Sequence, residues 1–230
     1  FPAMFKGFSE ESMMRRAVRL GAVRLQVVDL RDFAQDARRT ADDRPYGGGP
    51  GMIMKPEPLF EAIEALRTPG ARVILMTPSG RPFNQARARR LARERHLILV
   101  CGHYEGIDER VRQALATDEL SIGDYVLTNG TLPAAVVVDA VVRLLPGVLG
   151  GGEAATQAES FSGTLLEHPQ YTRPPEYRGM RVPAVLQSGD HAAVAEWKQS
   201  AAARLTARQR PDLLGRANDA EEGCETGSGE

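Results

Sequence analysis

Short apolar runs alternate with amphipathic stretches through the middle of the chain. Arg72–Met76 and Leu97–Cys101 are unbroken apolar runs, and Ser121–Leu127 is predicted to form a third strand and turn. Helices are predicted beside them at 84–95, 107–115 and 132–145. Unbroken apolar strands separated by helices are typical of a parallel sheet covered on both faces. We therefore expect an α/β domain.

Each predicted strand runs into a turn that contains glycine. Thr77–Gly80 is predicted to end the first strand, Gly102–Gly106 follows the second, and Gly130 follows the third. Ligands of parallel sheets collect beyond the carboxyl ends of the strands. Glu105 lies in the second of these turns, where it either faces a ligand or only favours the N-terminus of the next helix.

The segment Asp42–Met52 is predicted to be a loop of defined shape. Four glycines and two prolines fall within Pro45–Gly51. Proline fixes φ and lacks an N–H group, while glycine reaches dihedral angles closed to other residues. The bare backbone can therefore approach a ligand or another chain. The segment lacks the G-K-[ST] and strand–turn–helix context of nucleotide-binding loops, which disfavours a dehydrogenase or an NTPase.

The predicted helix Leu132–Leu145 is apolar at nearly every position except Asp139 and Arg143. These two are four residues apart, so they form one polar stripe on a helix expected to be buried on its other sides. The stripe is either an ion pair within the helix or a surface that faces a polar cleft or a partner subunit.

Charge is distributed unevenly along a chain whose net charge is −1. Residues 169–216 carry eight basic and four acidic side chains, whereas 217–230 carry five acidic and no basic ones. The five arginines on the predicted helix 84–95 form either a solvated face or a phosphate-binding strip: Arg87, Arg89, Arg90, Arg93 and Arg95. Helices are also predicted at His191–Gln199 and Ala201–Gln209.

Cysteine and histidine provide no sign of a metal site. Cys101 and Cys224 lie in unlike contexts, and the four histidines lack metal-ligand spacing. The most apolar stretch, Leu132–Gly150, is interrupted by Asp139, Arg143 and Pro146, so we expect no membrane span. A cytoplasmic protein is the default expectation.

Six motifs together resemble the bacterial tRNA (guanine-N1-)-methyltransferases. They occur in the order DDRPYGGGPGM, LVCGHYEGIDERV, SIGDYVLTNGTLPA, LPGVLG, YTRPPEYRGMRVPAVLQSGDH and RQRPDLL. The resemblance covers nearly the whole chain, from Phe1 to Leu214. It implies methyl transfer from S-adenosyl-L-methionine to the guanosine immediately 3′ of the anticodon, with tRNA as substrate and a homodimer as the active form. Magnesium is associated with activity in this family.

The implied fold is a knotted parallel-sheet (trefoil knot) methyltransferase domain followed by a small helical domain. The expected layout is 1–149 for the knotted cofactor-binding domain and 150–168 for a flexible linker that carries a catalytic acid. Residues 169–215 would form the helical tRNA-binding domain, and 216–230 an acidic disordered tail.

The resemblance also implies roles for individual residues. Glu159 would be the general base, Arg143 the cation that stabilises O6, and Glu105 an assisting carboxylate. The implied cofactor-binding residues are Thr77, Pro78, Gly102, Tyr104, Ile122, Gly123, Asp124, Tyr125, Val126, Leu127, Gly130 and Pro133. The implied substrate-binding residues are Asp43, Gly48, Gly49, Arg173, Arg178 and Arg181.

Three positions depart from the family pattern. Glu159 stands in place of the usual aspartate, Asn129 where a second glycine is common, and Thr131 where an acid is common. Two alternatives therefore stay open: a noncatalytic RNA-binding relative, and a knotted methyltransferase that acts on another RNA.

Overall fold

The computed structural model describes residues 2–150, 156 and 159–215. The chain divides into two compact units, Phe1–Gly152 and Glu153–Glu230, and each is described by itself. Residues 151–155, 157 and 158 at the start of the predicted linker lie outside the described residues, as does the whole predicted acidic tail at 216–230. The predicted four-part layout stays a prediction.

The first unit contains six described helices and five described strands. The helices are α1 (Ala3–Glu10), α2 (Ser12–Arg19), α3 (Pro56–Leu66), α4 (Gln85–Leu91), α5 (Glu109–Leu115) and α6 (Thr131–Val142). The strands are β1 (Asp42–Asp43), β2 (Ile53–Met54), β3 (Arg72–Pro82), β4 (Leu97–Cys101) and β5 (Asp118–Ser121). A 3₁₀ helix spans Leu30–Phe33.

The central sheet confirms the α/β prediction. Its three strands are parallel, in the order β4-β3-β5. On β3, Val73 and Leu75 face a core shared with α3 and α5, whereas Ile74 and Met76 face a second core shared with α4 and α6. Both faces of the sheet are covered, which explains why the strand sequence is apolar without interruption.

Two of the predicted strand boundaries are wrong. β3 does not end at Met76, because Arg81 pairs with Leu120 of β5 after a shift in register. Gly80 permits this close approach, since a Cβ there would lie 2.5 Å from the Leu120 amide nitrogen. β5 ends at Ser121, and the chain then bends at Gly123, whose φ is +152°.

The second unit is small and contains one long helix. Its described elements are β6 (Glu176–Tyr177), β7 (Met180–Arg181), a 3₁₀ helix at Ala184–Gln187 and α7 (His191–Gln209). The prediction of two helices here is wrong, because the helix continues through Ser200. Asp190 caps it by accepting hydrogen bonds from the amides of Ala192 and Ala193.

The described end of the predicted linker is attached to α7. The Leu166 amide donates a hydrogen bond of 2.9 Å to the hydroxyl of Thr206, which is fully buried. The Glu167 amide donates to the Ser160 hydroxyl at 2.9 Å. Across the described residues, no helix combines the length and apolarity needed to cross a membrane.

Candidate active site

A cavity of about 940 Å³ lies at the carboxyl ends of β3, β4 and β5. Its size falls within the range of small-molecule pockets, roughly 300–1,000 Å³. All the predicted cofactor-binding residues except Asp124 line it: Thr77, Pro78, Gly102, Tyr104, Ile122, Gly123, Tyr125, Val126, Leu127, Gly130 and Pro133. The three turns singled out from the sequence therefore meet at one site.

A second cavity, of about 1,030 Å³, lies on the far side of β4. It is lined mainly by apolar side chains from α1, α6, β4 and the extended segment 22–31. Of the predicted cofactor-binding residues, it contacts only Gly102 and Tyr104. We therefore place the candidate active site in the first cavity.

The connection from β5 to α6 crosses the end of β4 at close range. The Gly130 amide donates a hydrogen bond of 2.8 Å to the Gly102 carbonyl, and Asn129 forms a β-bridge with His103. A Cβ on Gly130 would lie 2.8 Å from the Cys101 Cα, closer than real Cβ contacts. Glycine is therefore required at position 130.

Asn129 and Thr131, which depart from the family pattern, hold the start of α6. The Asn129 side-chain oxygen accepts a hydrogen bond of 2.9 Å from the Thr131 amide. Thr131 is itself buried. Both residues therefore have a structural role, and of the two only Asn129 lines the candidate active-site cavity.

Glu105 is fixed against the exit of the glycine-rich loop. Its amide donates to the Met52 carbonyl at 3.0 Å, and the Met54 amide donates to the Gly106 carbonyl at 2.9 Å. The Glu105 side chain packs on Gly51, where a Cβ would collide with it. Because Glu105 also lines the cavity, the loop and this carboxylate belong to one piece of structure. The sequence pattern predicted each part but not their contact.

The glycine-rich loop joins β1 to β2, which pair in antiparallel fashion. Gly47, Gly48 and Gly49 have φ values of +85°, +77° and +117°, a region that favours glycine. All three are exposed, as is Asp43, whose carboxylate accepts a hydrogen bond of 2.7 Å from the Arg44 amide. The roles of Asp43, Gly48 and Gly49 in substrate binding stay predictions.

The exposed face of α6 differs from the prediction. The sequence predicted that only the charged pair would be exposed, but the apolar Leu132 and Val136 are also 55% and 47% exposed. Asp139 is exposed and Arg143, at the helix C-cap, is half-buried. The spacing of these four residues places them along one side of the helix, where two aliphatic side chains lie beside two charged ones.

Arg112 and three of the four acidic residues in the cavity wall form ion pairs. Arg112 contacts Glu109 and forms a 3.0 Å ion pair with Glu119, and Arg72 forms a 2.7 Å ion pair with Asp118. Hydrogen bonding from Arg112 lowers the pKa of Glu109 below its ordinary value. Glu109 is therefore ionised at neutral pH, and all three carboxylates are already matched by a cation.

Cys101, at the end of β4, is not a nucleophile at neutral pH. Burial raises the pKa of its thiol from 9.0 to about 11. The reactive thiolate is therefore scarce at physiological pH.

The predicted site residues of the second unit are mostly exposed. Glu159 is half-buried in a turn where its carbonyl accepts a hydrogen bond from the Ser162 amide at 3.1 Å. The Arg178 guanidinium lies 5.3 Å from the centre of the Tyr177 ring. Arg173 is exposed, and Arg181 forms a 2.7 Å ion pair with Glu176.

No cluster of three or more His, Cys, Asp or Glu side chains within residues 2–150, 156 and 159–215 could hold a metal ion.

Comparison with known proteins identifies the family. The family model for tRNA (Guanine-1)-methyltransferase TrmD matches residues 1–216. The tRNA (guanine-N(1)-)-methyltransferase of Geobacillus kaustophilus is 55% identical over 216 residues, which cover 93% of this chain and 88% of the relative. The enzymes of the same name from Moorella thermoacetica and Bacillus subtilis are 56% and 52% identical, over 95% and 93% of this chain and 88% and 89% of theirs. The chain therefore belongs to the tRNA (guanine-N1)-methyltransferase family.

Proposed function

We propose that this chain transfers a methyl group from S-adenosyl-L-methionine to N1 of the guanosine immediately 3′ of the anticodon in tRNA. The observation that carries the proposal is the agreement with relatives named for guanine-N1 methylation, over 93% of the chain or more. The cavity at the end of the sheet supplies a place for the cofactor.

The residues of the cavity suit S-adenosyl-L-methionine. Gly102 and Gly130 place no side chain in the cavity, and the half-exposed Tyr104 and Tyr125 provide aromatic surface for an adenine ring. When bound, the cofactor supplies an electrophilic methyl group on a positively charged sulfur. The crossing of β4 by the segment around Gly130 supports a trefoil knot around this site.

The target atom determines what the protein must provide. Guanine N1 carries a proton at neutral pH and is a poor nucleophile, so a base must accept that proton. We assign this role to Glu159. Negative charge then develops on O6, and Arg143 stabilises it. Glu105, held against Gly51, assists as a positioned carboxylate that orients the base edge.

We propose a homodimer that uses the exposed face of α6. Leu132 and Val136 are apolar side chains in solvent, and Val126 beside the cavity is 82% exposed. Burial of this apolar surface between two copies would favour association against the loss of their translational and rotational freedom. A two-fold symmetric pair would bury the same face of both copies.

The tRNA contacts proposed for the second unit lie around the hairpin of β6 and β7. Tyr177 is exposed and Arg178 covers its ring, an arrangement suited to stacking with bases and binding phosphate. Arg173 is also exposed. Arg181 must exchange its partner Glu176 for phosphate if it is to bind RNA.

Two further expectations rest on the family alone. Magnesium would support activity without a dedicated protein site among the described residues. The cytoplasm, where tRNA is processed, would be the site of action.

Methyl transfer from labelled cofactor to two tRNA transcripts tests the proposal. The transcripts differ only in carrying G or A immediately 3′ of the anticodon. We expect transfer to the G transcript alone. Normal tRNA binding without transfer would indicate a noncatalytic relative. Equal transfer to both transcripts would indicate a methyltransferase that acts elsewhere on RNA.

A further inference from the structure

Three arginines form one side of the candidate active-site cavity. Arg81 at the end of β3 and Arg87 and Arg90 on α4 all line it, and we call them the arginine wall. Arg87 and Arg90 are three residues apart, so they are neighbours on the surface of the helix. Buried Ala88 and Leu91 anchor α4 to the core, which fixes the direction of the wall.

The arginine wall is not neutralised by the acidic residues of the same cavity. Glu109 and Glu119 are bound to Arg112, and Asp118 is bound to Arg72. In the described part of the chain, none of the ion pairs within 4.0 Å includes a wall arginine. Glu105, on the segment after β4, is the fourth acid in the cavity lining.

Three cations that line one cavity attract anions to it, and a bound anion offsets their charge. The cofactor has a single carboxylate, for which one guanidinium suffices. A nucleic acid strand presents a row of phosphates, and arginine binds phosphate in a bidentate manner. The wall thus fits an RNA backbone better than the cofactor.

We propose that the arginine wall binds consecutive phosphates of the tRNA strand that delivers the target base. This inference rests on the proposed function, because it assumes that the cavity receives a tRNA nucleotide. It adds a phosphate-binding surface on the first unit to the contacts proposed for the second.

The test compares two triple variants that lose the same charge. R81Q/R87Q/R90Q removes the wall, whereas R19Q/R38Q/R67Q removes exposed arginines that line neither cavity. The tRNA affinity of each is measured by fluorescence anisotropy over a range of salt concentrations, without cofactor. Each phosphate contact contributes about −0.7 to −0.9 to the slope of log K against log [salt]. We expect the magnitude of this slope to fall by about 2 in the wall variant and by less than about 1 in the control.

Cofactor binding and methyl transfer are measured on the same proteins. We expect the wall variant to bind the cofactor with a Kd within about twofold of the wild-type value, because the wall is proposed to contact only RNA. Equal slopes for the two triple variants would overturn the proposal, as would a loss of cofactor affinity with an unchanged slope. If the triple variant does not fold, the single Gln variants at positions 81, 87 and 90 should each reduce the magnitude of the salt slope by about 1.

Failure of the proposed function gives a different result. Wild-type protein that binds tRNA with a steep, wall-dependent salt slope but transfers no methyl group would refute the enzyme and retain the binding surface.

Discussion

At the scale of single residues, the contact between Gly51 and Glu105 links the glycine-rich loop to the chemistry. Gly51 has φ of +82°, and any side chain at this position would occupy the space of the Glu105 carboxylate. We expect Gly51→Ala to displace Glu105 and to lower kcat by about 10- to 100-fold, because misplaced catalytic groups cost about that much. Steady-state kinetics with a tRNA transcript measures this.

Gly47→Ala is the matched control for this variant. Gly47 has a nearly identical φ of +85°, but a Cβ at this position would meet nothing within 4 Å. The control therefore shares the backbone strain without the collision. Equal losses in the two variants would mean that strain in the loop, rather than the position of Glu105, limits the reaction.

Cys101 gives a prediction for pH dependence. Its pKa is about 11 in the folded protein against an ordinary 9.0, so an unfolded chain loses this proton first as pH rises. The burial of the neutral thiol therefore stabilises the fold fully below pH 9, and this contribution is lost between pH 9 and about 11. We expect the wild type to lose about 2 kcal/mol more stability than Cys101→Ala between pH 8 and 11. Urea unfolding at each pH measures the free energy of unfolding of both proteins. Equal losses in the two proteins between pH 8 and 11 would contradict the prediction.

At the scale of elements, α6 serves the core and the surface at once. Its buried side includes Ala134, Val137 and Val141, while Leu132 and Val136 remain in solvent. We expect Val136→Asp to weaken the homodimer at least about tenfold, because it places a charge in the proposed apolar contact. Sedimentation equilibrium measures the dissociation constant. Glu64→Asp, an exposed substitution on α3, is the control, and a dimer equally stable in both would place the interface elsewhere.

The sequence predicts correctly the strands that can be recognised from their own pattern of apolar residues. Arg72–Met76 and Leu97–Cys101 were predicted correctly as paired stretches because unbroken apolar strands are buried on both faces. β5 was misplaced because Asp118 and Glu119 look like surface residues. The fold provides Arg72 and Arg112 as their partners, which a local pattern does not reveal.

Long-range contacts explain the other differences. β3 extends beyond Met76 because Gly80 lies against the backbone of Leu120, which comes much later in the chain. The contact of Gly51 with Glu105 likewise depends on pairing between distant segments. The turns that line the cavity were recognisable because sheets with parallel strands place their ligands at one edge.

At the scale of the whole molecule, the proposed catalytic roles fall on residues of both units. Arg143 belongs to the first and Glu159 to the second. We expect Glu159→Gln to lower turnover by about 10²- to 10⁴-fold, the usual contribution of a general base.

Arg143→Ala should lower turnover by about 10²- to 10³-fold through lost stabilisation of the negative charge on O6. Isothermal titration should show cofactor binding largely intact in both, and loss of that binding in either would count against its assigned role.

The central claim is that the chain methylates guanine N1 at one position of tRNA. The most direct test is mass spectrometry of nuclease fragments from a tRNA transcript incubated with the protein and S-adenosyl-L-methionine. We predict one added methyl group, recovered as 1-methylguanosine, on the nucleotide immediately 3′ of the anticodon. An unmodified transcript, or a methyl group on another atom or nucleotide, would contradict the account.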